Sequence, residues 1–320
     1  MAQRRLGKTD IAVTPIGLGC WQFSEGAGPL GNYWPALPEA VANEIVAKSL
    51  AGGINWFDTA EAYGFGRSEQ ALSRALQAAG KKPGEVVVAT KWFPLLRIAA
   101  SLEVTIRDRL DALAPFPIDL HQVHQPFGLS PVEAEMDVMA DLVAARKIRS
   151  AGVSNFNAAR MRRAHAALAA RGLCLASNQV KYSLLDRRIE KNGVLAAAKE
   201  LGITVIAYSP LEQGLLSGKF HDDLELLKKI SGPRKWLPGF RAASLGRSQR
   251  LIDELKLIAA AHGVTPSQIA LSWLVNFHGD TVVAIPGATK SRHVEENVGA
   301  LVVKLSGLEL RRLDELSRPA

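Results

Sequence analysis

Short apolar runs rich in β-branched residues recur along the chain, separated by longer stretches of Ala, Leu and charged residues. This pattern predicts alternating strands and helices around a parallel sheet. The strand candidates are IGLGCW (16–21), INWFDTA (54–60), VVVATK (86–91), DLHQVHQ (119–125), RSAGVS (149–154), ASNQVKY (176–182), TVIAYSP (204–210) and TVVAIPG (281–287). Helices are expected near 38–51, 67–79, 99–112, 131–145, 157–170, 191–201, 247–276 and 291–301. An open doubly wound sheet suits five or six strands. Eight alternating pairs instead predict a closed (β/α)8 TIM barrel, whose chemistry sits on the loops that follow the strands.

Two segments stand outside the repeat. RRLGKTDIAVT before the first strand reads as a small β-hairpin around Gly7 and Asp10, placed to cover the amino-terminal end of the barrel. The connection 211–246, after the seventh strand, carries Gly214, Gly218, Gly232, Pro233, Pro238, Gly239 and Gly246, too many breakers for one compact element. Loops of this length are usually lids or binding loops. No composition shift divides the chain, so residues 1–320 are read as a single domain.

Composition narrows the function classes. Hydrophobic residues make up 48% of the chain and charged residues 22%, enough for a large core. The net charge of +8 comes from 39 Lys and Arg against 31 Asp and Glu, scattered without a basic run interleaved with aromatics. That argues against a nucleic-acid surface and allows one phosphate pocket. Two cysteines, Cys20 and Cys174, fit a reducing cytoplasm, and no apolar run is long enough for a membrane span.

The strand ends carry the chemistry. Side chains alternate across a strand, so residues of one parity share a face. Asp58 is in phase with Ile54 and Trp56, Lys91 with Val87 and Ala89, and His124 with Leu120 and Gln122. If those faces point into the barrel, the three converge at its mouth, with Tyr63 above them on the loop after the second strand. A free phenol, with a pKa near ~10, is a poor proton donor at neutral pH unless its anion is stabilised. Lys91 would do so, Asp58 would hold the lysine, and His124 would orient a substrate carbonyl. His121 and His124 suggest a metal pair, but a separation of three places them on opposite faces of a strand, so no metal site is expected. GAGPLG (26–31) and GLLSGK (214–219) imitate phosphate-binding motifs without the required strand and helix context, and the first is expected to shape a loop over the site.

Seven stretches in order, FDTAEAYG, ATK, DLHQVHQP, GVSNF, NQVKYSLLDR, AYSPLEQGLLSGK and IPGATKSRHVEEN, resemble the aldo-keto reductase family over nearly the whole chain. The resemblance implies a catalytic tetrad of Asp58, Tyr63, Lys91 and His124, with Tyr63 as general acid in reduction and general base in oxidation. A steroid double-bond reductase of that family carries Glu at the histidine position, so His124 implies carbonyl chemistry.

The resemblance also implies an extended nicotinamide dinucleotide. Ser154, Asn155 and Gln179 would bind its carboxamide, and Tyr208 would stack on the ring. Ser209, Leu211, Gly214 and Leu215 would approach the pyrophosphate, with Trp21 also against the cofactor and the loop 211–246 as a clamp. Pro286, Gly287, Lys290, Ser291, Arg292, Glu296 and Asn297 fall in the motif that holds the adenosine end. There His293 replaces the family's Arg or Gln, while Lys290, Ser291 and Arg292 still favour NADPH, with NADH as the alternative.

Trp21, Tyr33, Trp34, Trp92 and Phe93 follow the first and third strands and are expected to line a pocket for an apolar or aromatic carbonyl compound. Glu61 reads as a loop residue. The resulting expectation is a cytoplasmic reductase of small aldehydes or ketones, with neither nucleic acid nor membrane as partner. The alternatives are a polyol or sugar dehydrogenase using the same site, a nicotinamide-binding regulatory subunit resembling potassium-channel beta subunits, and a nonredox barrel isomerase.

Overall fold

The computed structural model describes residues 3–27, 33–230 and 232–318, so most of the GAGPLG stretch lies outside the described residues. An antiparallel hairpin, β1 (Arg4–Arg5) and β2 (Ala12–Val13), comes first. Among the described residues, eight parallel strands then follow in sequence order: β3 (Leu18–Gly19), β4 (Trp56–Asp58), β5 (Val87–Trp92), β6 (Leu120–Val123), β7 (Ser150–Ser154), β8 (Leu175–Lys181), β9 (Thr204–Tyr208) and β10 (Val282–Ala284). Parallel bridges Ile16–Ala284 and Gly19–Gly287 join the first of these strands to the last and close the barrel. The Gly17 N–H donates to the Ala284 carbonyl at 2.8 Å, and the Ala284 N–H donates to Pro15 at 2.9 Å.

Alternation along the strands separates two apolar layers. Trp56, Val87, Ala89, Leu120, Ile206 and Val283 pack inside the barrel together with Leu6, Ile11 and Val13 of the hairpin, which therefore plugs the amino-terminal end. Trp56 donates its indole N–H to the Thr14 carbonyl at 2.9 Å. A Cβ at Gly17 would sit 2.3 Å from that indole, so the inner layer requires glycine there. Truncating the fully buried Trp56 to alanine would cost about 3–5 kcal/mol. The opposite parity, including Phe57, Val88, Val123 and Val205, faces the helices. Because the plug fills one end, the strands' carboxyl ends form the open mouth.

The helical reading needs two corrections. The stretch expected as one helix over 247–276 is two, Ala242–His262 and Pro266–Asn276. Gly263 ends the first with φ +66°, and Thr265 opens the second through a reciprocal capping box with Gln268, with Pro266 in its first turn. A further helix, Gly307–Ser317, opens on the Ser306–Glu309 capping box. After β9 the chain makes short turns, including Glu212–Ser217, Lys219–Asp222 and Pro238–Phe240, held by a small cluster of Leu215, Phe220, Phe240 and Leu245. Among the described residues no helix is long and apolar enough to cross a membrane.

Candidate active site

The mouth opens into a cavity of about 620 Å³ whose walls include Asp58, Tyr63, His124, Ser154, Asn155, Gln179 and Tyr208. Lys91 lies beneath it, completely buried, with its ammonium against Asp58 Oδ1 and the Thr59 carbonyl at 2.8 Å. The other Asp58 oxygen accepts from Gln179 at 2.9 Å and from Gln122 at 3.2 Å. A carboxylate and an ammonium persist in such a place only when paired and hydrogen-bonded on every side. Lys91 Nζ stands 5.2 Å from the centre of the Tyr63 ring.

Tyr63 keeps part of its surface open to the cavity. Enclosure of its phenol, then the Asp58 charge and Cys20, push it well above its usual value. This departs from the expected dominance of Lys91, whose ammonium is directed to Asp58 and Thr59. The phenol therefore holds its proton at neutral pH. His124 is pushed well below the ordinary imidazole value by burial and by Lys91, so its ring is neutral, and its Nδ1 is buried without a hydrogen-bond partner. Aromatic contacts continue across the site: Tyr33 on Trp21, Trp21 on Tyr63, Tyr63 edge-on to His124, and His124 to Phe93.

The family model for the aldo/keto reductase family matches residues 15–318. The chain belongs to that family. An uncharacterized oxidoreductase of Mycobacterium bovis is 39% identical, covering 96% of this chain and 90% of the relative. The glycerol dehydrogenase of Gluconobacter oxydans superposes with a TM-score of 0.82 at 28% identity, covering 99% of this chain and 95% of that one. An aldo/keto reductase of Klebsiella pneumoniae, solved with NADP and acetate, gives 0.76 at 28% identity, covering 100% and 97%.

For this aldo/keto reductase, the residues anticipated around the nicotinamide converge but already bind one another. The Ser154 hydroxyl donates to the Gln179 carbonyl at 2.9 Å, Asn155 donates to the His124 carbonyl at 3.2 Å, and the Tyr208 hydroxyl donates to Asn155 Oδ1 at 3.0 Å. Trp21, Ser209, Leu211, Gly214, Pro286, Gly287, Arg292, Glu296 and Asn297 also line the cavity. Gln213 reaches from the loop after β9 to the Tyr33 hydroxyl at 3.3 Å, so that loop touches the one that follows β3.

Several anticipated contacts lie elsewhere. Leu215 points into the loop's own apolar cluster. Lys290 is exposed and outside the cavity lining, and the Ser291 hydroxyl bonds Glu44. Trp92 has the parity of Val88 and Thr90, so it enters the helix layer and donates to Ser101 Oγ at 3.1 Å. Of the remaining aromatics, Trp34 lines the cavity, Tyr33 backs Trp21, and Phe93 reaches the site through its contact with His124. Lys219 was missed as a candidate: it lines the cavity from the dismissed GLLSGK stretch, and its charge, after burial, depresses the neighbouring His293. The signal available was a lone lysine following a glycine in a loop already suspected of binding.

Proposed function

We propose that the chain is an NADPH-dependent reductase converting aldehydes or ketones to alcohols, with Tyr63 protonating the carbonyl oxygen. The observation that carries this reading is the buried Lys91–Asp58 pair beneath Tyr63 and the neutral His124, at one end of a cavity whose other end carries cations. The cavity walls suit a dinucleotide. Gln22 Oε1 and Asn297 Nδ2 are buried there without partners, and Lys219 and Arg292 stand near His293 where a 2′-phosphate would be neutralised. The Klebsiella pneumoniae neighbour with bound NADP supports the same cofactor class.

A bound nicotinamide would supply hydride to the carbonyl carbon. Ser154, Asn155, Gln179 and Tyr208 would orient its ring, Trp21, Ser209, Leu211 and Gly214 would hold the middle of the cofactor, and Pro286, Gly287, Arg292, Glu296 and Asn297 its adenosine end. His124 would place the carbonyl oxygen beside Tyr63, which donates its proton as charge develops on that oxygen. Lys91 would stabilise the phenolate left behind, while Asp58 keeps the ammonium in position. The raised Tyr63 phenol carries at neutral pH the proton that reduction consumes, whereas oxidation by the same site would start from the phenolate.

The rim supports an apolar substrate. Phe65, Leu95, Leu96, Ile98, Phe127 and Leu129 are exposed on the three loops beside Tyr63, Lys91 and His124, and Phe127 meets Phe93 edge-on at 5.9 Å. The reading is of a cytoplasmic enzyme acting on a small carbonyl compound. NADPH and NADH oxidation followed against aliphatic, aromatic and sugar-derived aldehydes tests it. NADPH-linked turnover rising with apolar surface is expected. Tight cofactor binding with no turnover would sink the reductase reading, and turnover confined to small charged aldehydes would sink the apolar pocket.

A further inference from the structure

Glu61 stands between Asp58 and Tyr63 in the sequence, is almost completely buried, and does not line the cavity. Its bonds surround Lys91 instead. Strand β4 ends at Asp58, yet pairing with β5 continues past it: the Thr59 N–H donates to Ala89 at 2.8 Å, and the Glu61 N–H donates to the Lys91 carbonyl at 3.2 Å. The Glu61 carboxylate then accepts from the Phe93 N–H, from Arg97 at 2.7 Å and from Arg109 at 2.7 Å. Arg109 also pairs with Glu69 at 2.8 Å, and Glu69 accepts the Thr90 hydroxyl. Thr90, Lys91 and Phe93 are thus all held from the Tyr63 side of the site.

The loop bearing Tyr63 needs such an anchor. Gly64, Phe65 and Gly66 all have positive φ, a run that a non-glycine residue adopts only when its surroundings hold it. The Gly66 N–H closes that turn on the Glu61 carbonyl at 2.9 Å. A buried carboxylate is a costly way to close a loop, and its three donors, two of them guanidinium groups, explain how this one is retained.

We propose that Glu61 is a positioning residue for the proton-donating pair: with Arg97 and Arg109 it locks the Tyr63 loop to the end of β5 and fixes the approach of Tyr63 to Lys91. The inference rests on the reading of Tyr63 and Lys91 given above. Misplacing reacting groups by about 1 Å can cost about 100-fold in rate.

The test compares the full chain with its Glu61→Ala, Glu61→Gln, Arg97→Ala and Tyr63→Phe variants. It uses NADPH and one aldehyde turned over by the parent, with cofactor affinity read by fluorescence and folding by thermal melting. Glu61→Ala is expected to lower kcat by about 10–100-fold and shift the pH profile of reduction while NADPH affinity stays within about twofold. Glu61→Gln, which keeps an acceptor for Phe93, recovers most of kcat. Arg97→Ala, at the half-exposed edge, lowers kcat a few-fold with little change in melting. A folded Glu61→Ala with the parent's kcat and pH profile overturns the proposal; if that variant does not fold, an unchanged kcat and profile in Arg97→Ala does so. Equal turnover by the parent and Tyr63→Phe overturns the reading of the site itself and this inference with it.

Discussion

The two ends of the cavity are built on different electrostatic terms. At the Tyr63 end, Asp58 and Lys91 are sealed from solvent and each charge depends on the other. At the far end, Arg292 is about three-quarters exposed, pairs with Glu296 at 3.5 Å, and shares the wall with Lys219 and His293. Coulomb attraction is strong and unscreened in the first place and weakened by water and salt in the second. Losing one charge at the closed end strands its partner, whereas losses at the open end are graded.

The largest effect that would break this contrast is at Lys91. Lys91→Met leaves Asp58 buried with only amide donors, and is expected to cost about 3–5 kcal/mol of stability in denaturant unfolding and to abolish turnover. Adding Asp58→Asn should return most of the stability and none of the activity. If the single variant is as stable as the parent, the closed end is not charge-coupled.

At the open end, Lys219→Ala and Arg292→Ala should each weaken NADPH binding by up to about tenfold, an effect that shrinks with added salt and leaves NADH unchanged. Lys290→Ala should change it by less than about twofold, since that side chain is outside the cavity. Fluorescence titration with both cofactors distinguishes these outcomes, and a larger loss from Lys290 would reverse the assignment.

A smaller test uses two carboxylates on the helix Val132–Ala144. Half-buried Glu133 is pushed down to about 2, chiefly by its bonds with Arg163. Glu135, buried against the loop after His124, is pushed up to about 7 by burial. A carboxyl raised in the folded state contributes stability that is full below about 4.5 and lost as pH rises through about 7. Glu135→Gln should therefore raise the free energy of unfolding at pH 8 relative to the parent, by on the order of 1–3 kcal/mol, and change it little at pH 4.5. An equal shift at both values would remove the ionisation argument.

The barrel could be read from the sequence because its strands are short apolar runs of fixed parity, and the same parity correctly directed Asp58, Lys91 and His124 to one side. Applied consistently, it also excludes Trp92 from the pocket, since Trp92 shares a face with Thr90 rather than Lys91. The helix break at Gly263 was present in HGVTP but hidden by the apolar pattern on both sides. Lys219 and Leu215 lie in a loop whose turns are set by tertiary packing, so no sequence period indicates which side chain faces the cavity. Glu61 was hidden for a related reason: its partners Arg97 and Arg109 are 36 and 48 residues away, and only the closed barrel brings them together.

The most direct measurement is single-turnover reduction of an aldehyde by Tyr63→Phe beside the parent protein, with NADPH affinity measured for both. The account predicts a rate lower by about 100- to 10,000-fold with cofactor affinity unchanged within about twofold. Parental turnover by the phenylalanine variant would contradict it.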